Sequence, residues 1–463
     1  MRVVLAIVFL LIAGIAQGQT RPILPPDAGP FLGGVPSGPA TADTLALTIA
    51  DAINRALEHN LGLLTAEQES GRARGARGVA LADLMPNLDG RLAETRQKVN
   101  LAAFGFPLPA GTASLVGPFN VFDARIHLSQ SIFDLGALNA LRAEGHTLAA
   151  AEYSVKSARD LVVLVSANAY LQALAAAARA EAARAQTDTA EAIFNQASSM
   201  KQSGIVAGID VLRAEVRLAT ERQRTTAARN DSEKARLQLA RLIGLPIGQP
   251  FTLVDDLPNV PMPEIGLKDA LERAYRARPD YQAALERVRA AESEKRSVVG
   301  EALPSVQVNA DYGDIGLTLH DARSTFSVAG AVNVPIFQGG RTHGRLQQAD
   351  AALRRRRAEA DDLKAGIYYD VRGAFLDLQA SGEQLQVATR ARELSAQQLT
   401  QARDRFAAGV ASNIEIVQAQ EAVAESSEQY ISALYSFNVA KALLARGLGV
   451  AEEATRQLLG GVR

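Results

Sequence analysis

The sequence contains two copies of one unit, and this duplication constrains the fold more than any other feature. Three pairs of similar segments carry it: 51–56 (DAINRA) with 269–274 (DALERA), 131–136 (SIFDLG) with 335–340 (PIFQGG), and 204–212 with 409–417. Solenoid repeats have periods of about 20–50 residues, so a period of roughly 200 residues belongs to another architecture. We expect each copy to be a module of helices and strands that packs against the other copy.

The N-terminus has the layout of a secretory signal peptide over residues 1–18. Arg2 precedes an apolar run over residues 3–16, and small residues surround a cleavage point after Gly18. The run is shorter than a bilayer span, which disfavours the alternative of a membrane anchor. The chain has no cysteine, and this excludes disulfides, thiolate metal sites and a lipidated N-terminal cysteine. We expect residues 19–44 to form an extended N-terminal segment.

Two long stretches without proline predict long helices. Residues 119–245 and 336–463 contain none, and a proline inside a helix costs about 3 kcal/mol. In the second stretch, apolar and small residues recur at alternating steps of three and four, the pattern of a coiled-coil seam. They are Val371, Phe375, Leu378, Gly382, Leu385, Ile416, Ala419, Val423, Ser426, Tyr430, Ala433, Phe437, Ala440 and Leu444. Each copy is therefore predicted to contain a long helical hairpin, with the turns at 203–208 and 408–413.

Four segments have a period of two, which predicts β-strands. They cover residues 87–98, 119–133, 304–315 and 324–337. In the second segment, for example, Phe122, Ala124 and Ile126 alternate with polar residues. Strands of about ten residues cross a bilayer when they are tilted. A half-buried sheet in a soluble protein shows the same alternation.

A barrel in lipid would require more strands than one chain supplies. Four strands cannot close, and an open sheet edge is not tolerated in lipid. Two chains would give eight strands and a lumen filled by side chains, whereas three would give twelve strands and a usable channel. The polar set of strand residues favours the water-filled barrel. The apolar stretch 161–178 is expected to be a protein-buried part of a long helix rather than a membrane helix.

From about residue 45 to residue 450, the chain resembles the TolC-like outer-membrane efflux protein family, whose members are duplicated in the same way. The resemblance rests on four motifs in a fixed order: 84–86 (LMP), 302–304 (ALP), 334–341 (VPIFQGGR) and 409–420. It implies a mainly α-helical fold with membrane β-strands. Long helical hairpins would form an α-barrel in the periplasm, and a homotrimer would share a twelve-stranded β-barrel in the outer membrane of a Gram-negative cell.

The same resemblance implies a division of the chain and a set of partners. After the signal peptide and the N-terminal segment, we expect a first repeat at 45–245, an inter-repeat linker or equatorial region at 246–265, a second repeat at 266–450 and a C-terminal tail at 451–463. The expected partners are two further copies of the chain, a periplasmic adaptor protein, an inner-membrane pump and outer-membrane lipid. The adaptor and the pump would open the tunnel.

The resemblance also indicates functional residues at the tips of the two hairpins. Family members narrow the periplasmic end with inward-pointing acids, which correspond to Asp210 and Glu415, with Gln418 beside them. The best-known member has an acid where this chain has Gln418, an arginine where it has Ala411 and a tyrosine where it has Phe406. A ring of carboxylates would attract cations. Alternatively, Asp210 and Glu415 stabilise the first turns of their helices.

Two further sets of residues complete the predicted site. We expect the tips to dock the adaptor, because they are small or apolar at the end of a rod, where solvent exposure otherwise favours charge: Gly204, Ile205, Val206, Ala207, Gly409, Val410, Ala411 and Ser412. Proline is tolerated at a strand start and glycine permits a sharp turn, so we expect such residues where strands and helices join: Pro86, Gly136, Pro304, Pro335, Gly339 and Gly340.

The sequence therefore predicts a passive exit duct of a tripartite efflux pump or a type I secretion system. The alternative is a soluble periplasmic coiled-coil adaptor or scaffold, in which the strands form a small sandwich. The chain has no phosphate-binding loop, nucleophile elbow or His-Glu metal motif, so we expect no enzyme activity, cofactor or metal ion. The formal net charge of −1 leaves no basic footprint for nucleic acid.

Overall fold

The two halves of the chain have the same order of elements. The computed structural model describes residues 26–105, 113–261, 265–408, 410 and 413–454, so the predicted signal peptide lies outside the described residues. Each half contains two helices, two long strands and two longer helices. The helices are α1 (Ile49–His59), α2 (Leu61–Ala82), α3 (Leu135–Gln202), α4 (Gly208–Leu242), α5 (Leu267–Ala277), α6 (Pro279–Gly300), α7 (Arg341–Ala407) and α8 (Asn413–Gly447).

The strands differ at their ends from the bounds that alternation predicts. They are β1 (Leu45–Leu47), β2 (Asn87–Asn100), β3 (Leu115–Phe133), β4 (Phe251–Leu253), β5 (Ser305–Gly316) and β6 (Arg323–Asn333). The β2–β3 hairpin is longer than predicted. In contrast, β6 ends at Asn333 rather than at residue 337. Its earlier end has a physical reason, because Pro335 has no N–H group to donate to a strand ladder.

The hairpin of α7 and α8 is a coiled coil packed through small residues. Every residue of the predicted seam is buried or half-buried. The hydroxyls of Ser395 and Ser426 hydrogen-bond across the seam at 2.7 Å, and a Cβ atom added at Gly382 would lie 3.6 Å from the Phe437 ring. The predicted coiled-coil seam is confirmed. In the other hairpin, α3 has 68 residues, about 100 Å at 1.5 Å per residue.

The apolar stretch 161–178 lies in the middle of α3. Among the described residues, α3 is the one helix long and apolar enough to cross a membrane, yet 78% of its apolar window is buried within the protein. Val163 and Leu171 are fully buried and belong to a core cluster that includes Ile53 of α1 and Leu239 of α4. The stretch is therefore the protein-buried part of a long helix, as predicted.

A small parallel sheet joins the start of the first copy to the segment between the copies. β1 pairs with β4, with Leu45 opposite Phe251 and Leu47 opposite Leu253. The hydroxyl of Tyr170, a fully buried residue of α3, donates to the carbonyl of Leu47 at 2.8 Å. The segment between the copies is therefore more than a linker, because its strand β4 pairs with β1 at the start of the first copy.

The segment before β1 is not extended throughout, which corrects the prediction for residues 19–44 at residues 26–32, whereas residues 19–25 lie outside the described residues. Pro26–Leu32 form a 3₁₀ helix, and the side-chain amide of Asn60 donates to the carbonyl of Phe31 at 2.7 Å. The Phe31 ring sits against Gly62 so closely that a Cβ there would come within 2.3 Å of it. Composition alone could not predict this contact, because it depends on a glycine at the start of α2.

The four long strands form one antiparallel sheet in the order β2-β3-β5-β6. Their register aligns residues of all four strands in rows, and the residues of one row lie on the same face of the sheet. One row contains the cross-strand partners Gly90, Ile126, Tyr312 and Phe326. The next row contains Asp89, His127, Asp311 and Ser327. Successive rows point to opposite faces. One face of the sheet is therefore mainly apolar and the other is polar, as the alternation predicts.

The helices continue the lateral order of the strands. Near the sheet, neighbouring helices contact one another in the order α2, α3, α6, α7, and towards the tips in the order α4, α3, α8, α7. One edge of the chain is therefore formed by β2, α2 and α4, and the other by β6 and α7. Both outer strands, β2 and β6, have one side without a strand partner among the described residues.

Candidate functional site

The two hairpin tips end their first helices in the same way. The amide of Ile205 donates to the carbonyl of Met200 at 2.9 Å, and the amide of Val410 donates to the carbonyl of Arg405 at 3.0 Å. These bonds belong to the Schellman motif, which ends a helix at a left-handed residue. Gly204 fills that position in the first tip, with φ of 73°. The predicted tip residues Gly409, Ala411 and Ser412 lie outside the described residues.

The tips present two exposed apolar side chains. Ile205 is 63% exposed and Val410 is 68% exposed, and they occupy equivalent positions after the two helix ends. Ala207 is also exposed and precedes α4 as its N-cap residue. Among the described tip residues, Ile205 and Val410 are therefore the large apolar groups that a partner could cover.

Val206 differs from its neighbours in burial. It is half-buried and packs against a cluster of Ile193, Ala402, Phe406, Ile416 and Ala419. Phe406 is 2% exposed within this cluster. Because the cluster takes side chains from both hairpins, apolar packing holds the two tips together.

Each predicted carboxylate of the constriction has a basic neighbour. Asp210, in the first turn of α4, lies 3.4 Å from the guanidinium of Arg213. Glu415, in the first turn of α8, lies 3.6 Å from Arg405 of α7. Gln418 is exposed. Both acids occupy first turns, where they also interact favourably with the helix dipole, so the pore and helix-stabilising roles both remain predictions.

A buried ionic cluster lies on the tip side of α4, and sequence reasoning missed it. The Arg217 side chain is 8% exposed and pairs with Glu221, 1% exposed, at 2.9 Å. Arg217 also approaches Glu421 of α8 at 3.4 Å, and Glu221 accepts from Arg224 at 3.0 Å. An Arg and a Glu four residues apart ordinarily form an exposed pair on a helix. Their burial follows from the tertiary structure, in which α4 packs on α3 and also contacts α8.

The polar face of the sheet carries an ionic cluster that joins the two copies. Arg125 of β3 lies 2.7 Å from Asp123 on the same strand and 2.6 Å from Asp311 of β5. Its guanidinium also donates to the hydroxyl of Thr325 on β6 at 3.4 Å. The sequence places these residues on one face, but the pairing depends on the register of β3 with β5.

The predicted junction residues do not share one conformation. Gly339 and Gly340 have φ of 61° and 82°, a region that favours glycine, and Gly340 is the N-cap of α7. Gly136, in contrast, lies in the first turn of α3, where Asp134 caps the helix by accepting from the Ala137 amide. Gly136 is therefore not a turn residue, which corrects the prediction.

Gly136 lies against α6 at the base of the sheet, where Gly300 permits the close approach. The carbonyl of Gly136 accepts from the Ser297 hydroxyl at 2.8 Å, and a Cβ on Gly300 would lie 2.5 Å from the amide nitrogen of Gly136. The three prolines of the set, Pro86, Pro304 and Pro335, lie outside the strands, the first two immediately before β2 and β5.

Lys441 of α8 is a fully buried lysine that sequence reasoning did not single out. Its ammonium group donates to the carbonyl of Val260 at 2.9 Å and lies 4.9 Å from the centre of the Phe437 ring. Asn438, one turn earlier, donates to the carbonyl of Pro258 at 2.8 Å. The two side chains attach the segment between the copies to α8. Burial lowers the pKa of Lys441 to about 8.

We expect the buried ammonium to make the stability of the wild-type protein depend on pH. The unfolded chain retains this proton up to about pH 10, whereas the folded protein releases it near pH 8. Stability should therefore rise between pH 8 and 10, by up to about 3 kcal/mol. Thermal unfolding, followed by circular dichroism at pH 7 to 10, should show this rise in the wild type. The rise should be absent in Lys441→Met.

The exposed Lys234 of α4 supplies the matched control. Lys234→Met should retain the pH-dependent rise, because its ammonium remains in water in both states. The same rise in Lys441→Met and in the wild type would contradict the assignment of the effect to Lys441.

The two copies described above are also the two segments that match a known family. A family model described as outer membrane efflux protein matches residues 52–245 and 270–450. The chain belongs to the outer membrane efflux protein family. The predicted family, its fold class and its outer-membrane location are thereby confirmed.

Relatives and solved structures of outer membrane efflux proteins cover most of the chain. The pyoverdine export outer membrane protein OpmQ of Pseudomonas putida is 22% identical over 86% of this chain and 84% of its own length. The alkaline protease secretion protein AprF of Pseudomonas aeruginosa is 25% identical over 90% of this chain and 87% of its own length. The outer membrane channel CmeC of Campylobacter jejuni has a similar fold, with a TM-score of 0.77 at 18% identity over 87% of this chain and 86% of that chain.

Proposed function

We propose that three copies of the chain form a passive exit duct across the outer membrane and the periplasm. The observation that carries this proposal is the four-stranded sheet, which has an apolar face, a polar face and two outer edges without a strand partner. Such edges are not tolerated in lipid, where every backbone group needs a hydrogen-bond partner. Closure by further copies satisfies both edges and places the polar face around water.

The number of copies follows from the interior of the β-barrel that they enclose. Two copies would close eight strands around a lumen filled by side chains, whereas three close twelve strands around an open channel. The edge formed by β2, α2 and α4 would then meet the edge formed by β6 and α7 of the next copy. The helices continue the strand order, so one ring of copies closes the sheet and the helical tunnel together.

The duct itself is proposed to be passive, with no catalytic activity. A periplasmic adaptor would dock at the tips, and an inner-membrane pump would supply the energy. The relatives are named for export of pyoverdine and for secretion of an alkaline protease. Either kind of cargo suits a water-filled duct, because the pump can select the cargo before the cargo enters the duct.

Extraction and conductance experiments test the duct. We expect the protein to fractionate with the outer membrane, to run as a trimer in native mass spectrometry in detergent, and to form channels in planar bilayers. Release by osmotic shock as a soluble protein would favour the alternative of a periplasmic adaptor. A stable monomer that retains its β-sheet signal would contradict the shared barrel.

We further propose that Asp210 and Glu415 face the lumen at the tip, so that three copies bring six carboxylates together. The double variant Asp210→Asn, Glu415→Gln should weaken block by multivalent cations and change cation preference, because a narrow acidic ring concentrates cations. Conductance should stay low, because the apolar cluster around Phe406 still holds the tips. Single-channel recordings in mixed salts measure both quantities.

Glu393→Gln is the matched control, because Glu393 is an exposed carboxylate of α7 that pairs with Arg390. It should leave ion selectivity unchanged. If the double variant also leaves selectivity unchanged and costs about 1 kcal/mol of helix stability, the two acids stabilise helix starts instead.

A further inference from the structure

A cavity of about 470 Å³ lies on one face of α6, between α3 and α7. Its volume is within the range of small-molecule sites. The cavity begins at the base of the sheet, because its lining includes Leu135, the first residue of α3, and Leu303, which lies just before β5. Helices α3 and α7 flank α6 within the same chain. The cavity is therefore separate from the two outer edges at which copies would meet in the proposed ring.

The floor of the cavity is apolar. Leu353 of α7 is buried there, whereas Val299 and Leu303 are 47% and 43% exposed. On the lumen side of a duct these two side chains would stay in contact with water, but on the outer side lipid would cover them. The apolar row of Val306 and Val332 begins the lipid-facing side of the sheet a few residues further along the chain. The apolar floor thus matches the outer surface, where it continues the lipid-facing side of the sheet.

Three cationic side chains line the same cavity, namely Lys295 and Arg296 of α6 and Arg357 of α7. Glu292 is the one carboxylate among the described lining residues, and it pairs with Arg357 at 2.8 Å. Lys295 pairs with Asp350 at 2.7 Å. The Arg296 side chain is exposed and forms no hydrogen bond or ion pair with any described residue. Its guanidinium is therefore available to an anion from outside the chain.

The order of these residues along α6 agrees with the order of groups in a lipid. Leu303 and Val299 are nearer the sheet, and Arg296 is further from it. Arg296 precedes the end of α6 at Gly300 by about 6 Å along the helix. The polar layer on each side of a bilayer is about 5–8 Å thick, and an arginine side chain can extend along an apolar surface towards that layer. The guanidinium can therefore reach a phosphate while the apolar floor contacts an acyl chain.

We propose that this cavity binds a phospholipid of the periplasmic leaflet, with the lipid phosphate on Arg296 and an acyl chain along Val299 and Leu303. The inference rests on the proposed outer-membrane duct and adds a lipid site to its outer surface. Arginine binds phosphate through two parallel hydrogen bonds, and basic pockets beside membrane-embedded segments bind lipid headgroups. One bound lipid per chain would fix the depth at which the helices enter the membrane.

A lipid titration of the delipidated protein in detergent tests the site. The probe is phosphatidylglycerol, and native mass spectrometry counts the molecules bound to each assembly. Diacylglycerol has the same acyl chains without the phosphate, whereas inorganic phosphate has no chains. We expect one phosphatidylglycerol to bind per chain. Both partial ligands should bind more weakly, because each lacks half of the contacts.

Two variants separate the phosphate contact from the apolar contact. Arg296→Gln should lower the affinity for phosphatidylglycerol about tenfold or more, because it removes hydrogen bonds between charged groups. Val299→Asn should also lower this affinity, because it replaces apolar floor with a polar side chain. Arg372→Gln is the matched control, since Arg372 is an exposed arginine of α7 about 20 Å further along the helix than Arg357. It should bind phosphatidylglycerol as the wild type does.

The site and the ring of copies can fail separately in this experiment. Equal affinity of the wild type for phosphatidylglycerol and diacylglycerol, or unchanged affinity in Arg296→Gln, would overturn the lipid site. Inorganic phosphate that binds as tightly as phosphatidylglycerol would also overturn it, because the site would then recognise an anion without its chains. A trimer that binds no phosphatidylglycerol would overturn the site and leave the duct intact. A monomer that binds one phosphatidylglycerol through Arg296 would instead support the site and contradict the ring.

Discussion

Replacing Ile205 and Val410 by aspartate should abolish export while leaving the assembled protein in the outer membrane. Both side chains are more than 60% exposed and follow the ends of the two hairpin helices, at the far end of the proposed duct. An adaptor that covers them would gain from burying apolar surface, and a buried carboxylate without a partner would oppose docking strongly. Export by cells that contain the cognate adaptor and pump is the measurement.

The choice of residues matters for this test. Val206→Asp would place a charge beside the buried Phe406 cluster and could unfold the tip, so Ile205 is the better position. Ile247→Asp is the matched control, because Ile247 is 88% exposed but lies after α4, far along the chain from both tips. Normal export by the Ile205→Asp, Val410→Asp variant would refute docking at these residues.

Glu221→Ala should destabilise the α4 hairpin by about 3–5 kcal/mol, the usual cost of leaving one member of a buried ion pair without its partner. The Arg217 side chain is 8% exposed, and Glu221 is its closest anionic partner at 2.9 Å. Its second partner, Glu421, is 64% exposed and lies at 3.4 Å, so it compensates little. Hydrogen exchange should become faster along α4 in this variant, because the hairpin would open locally more often.

The double variant Arg217→Leu, Glu221→Leu distinguishes two causes of destabilisation, the unpaired buried charge and the loss of side-chain packing. Replacing both members of a buried ion pair with apolar residues is often neutral or stabilising, so exchange along α4 should return towards the wild-type rate. Glu191→Ala is a further control, because Glu191 pairs with Arg222 at an exposed site, where ion pairs contribute about 0–1 kcal/mol. Equal exchange in Glu221→Ala and Glu191→Ala would contradict the buried cluster.

Much of the architecture could be predicted because periodicity determines which face of an element a residue occupies. The seam from Ile416 to Leu444 and the alternation around Ile126 each specify a buried or apolar face within a single helix or strand. The long stretches without proline show where uninterrupted helices can form. The duplication then requires a second copy of every element. These inferences need no knowledge of which elements become neighbours.

The details of the site needed that knowledge. Val206 and Ile205 are adjacent apolar residues, and only the position of the second hairpin makes one of them half-buried. Arg217 and Glu221 have the spacing of an exposed pair, and only the packing of α4 in the tertiary structure buries them. Lys441 lies within an otherwise apolar stretch of α8, and its role depends on the carbonyl of Val260 on a distant segment.

By itself, the sequence determined the duplication, the coiled-coil seam of the second hairpin, the two-faced strands and the membership of the outer membrane efflux protein family. Only the tertiary structure decided which charges are buried, which tip residues are exposed and which strands are neighbours in the sheet. The physical reason is the range of the interactions. Periodicity follows from local backbone geometry, whereas burial and pairing depend on contacts such as Arg217 with Glu421 and Arg125 with Asp311, between residues far apart in the chain.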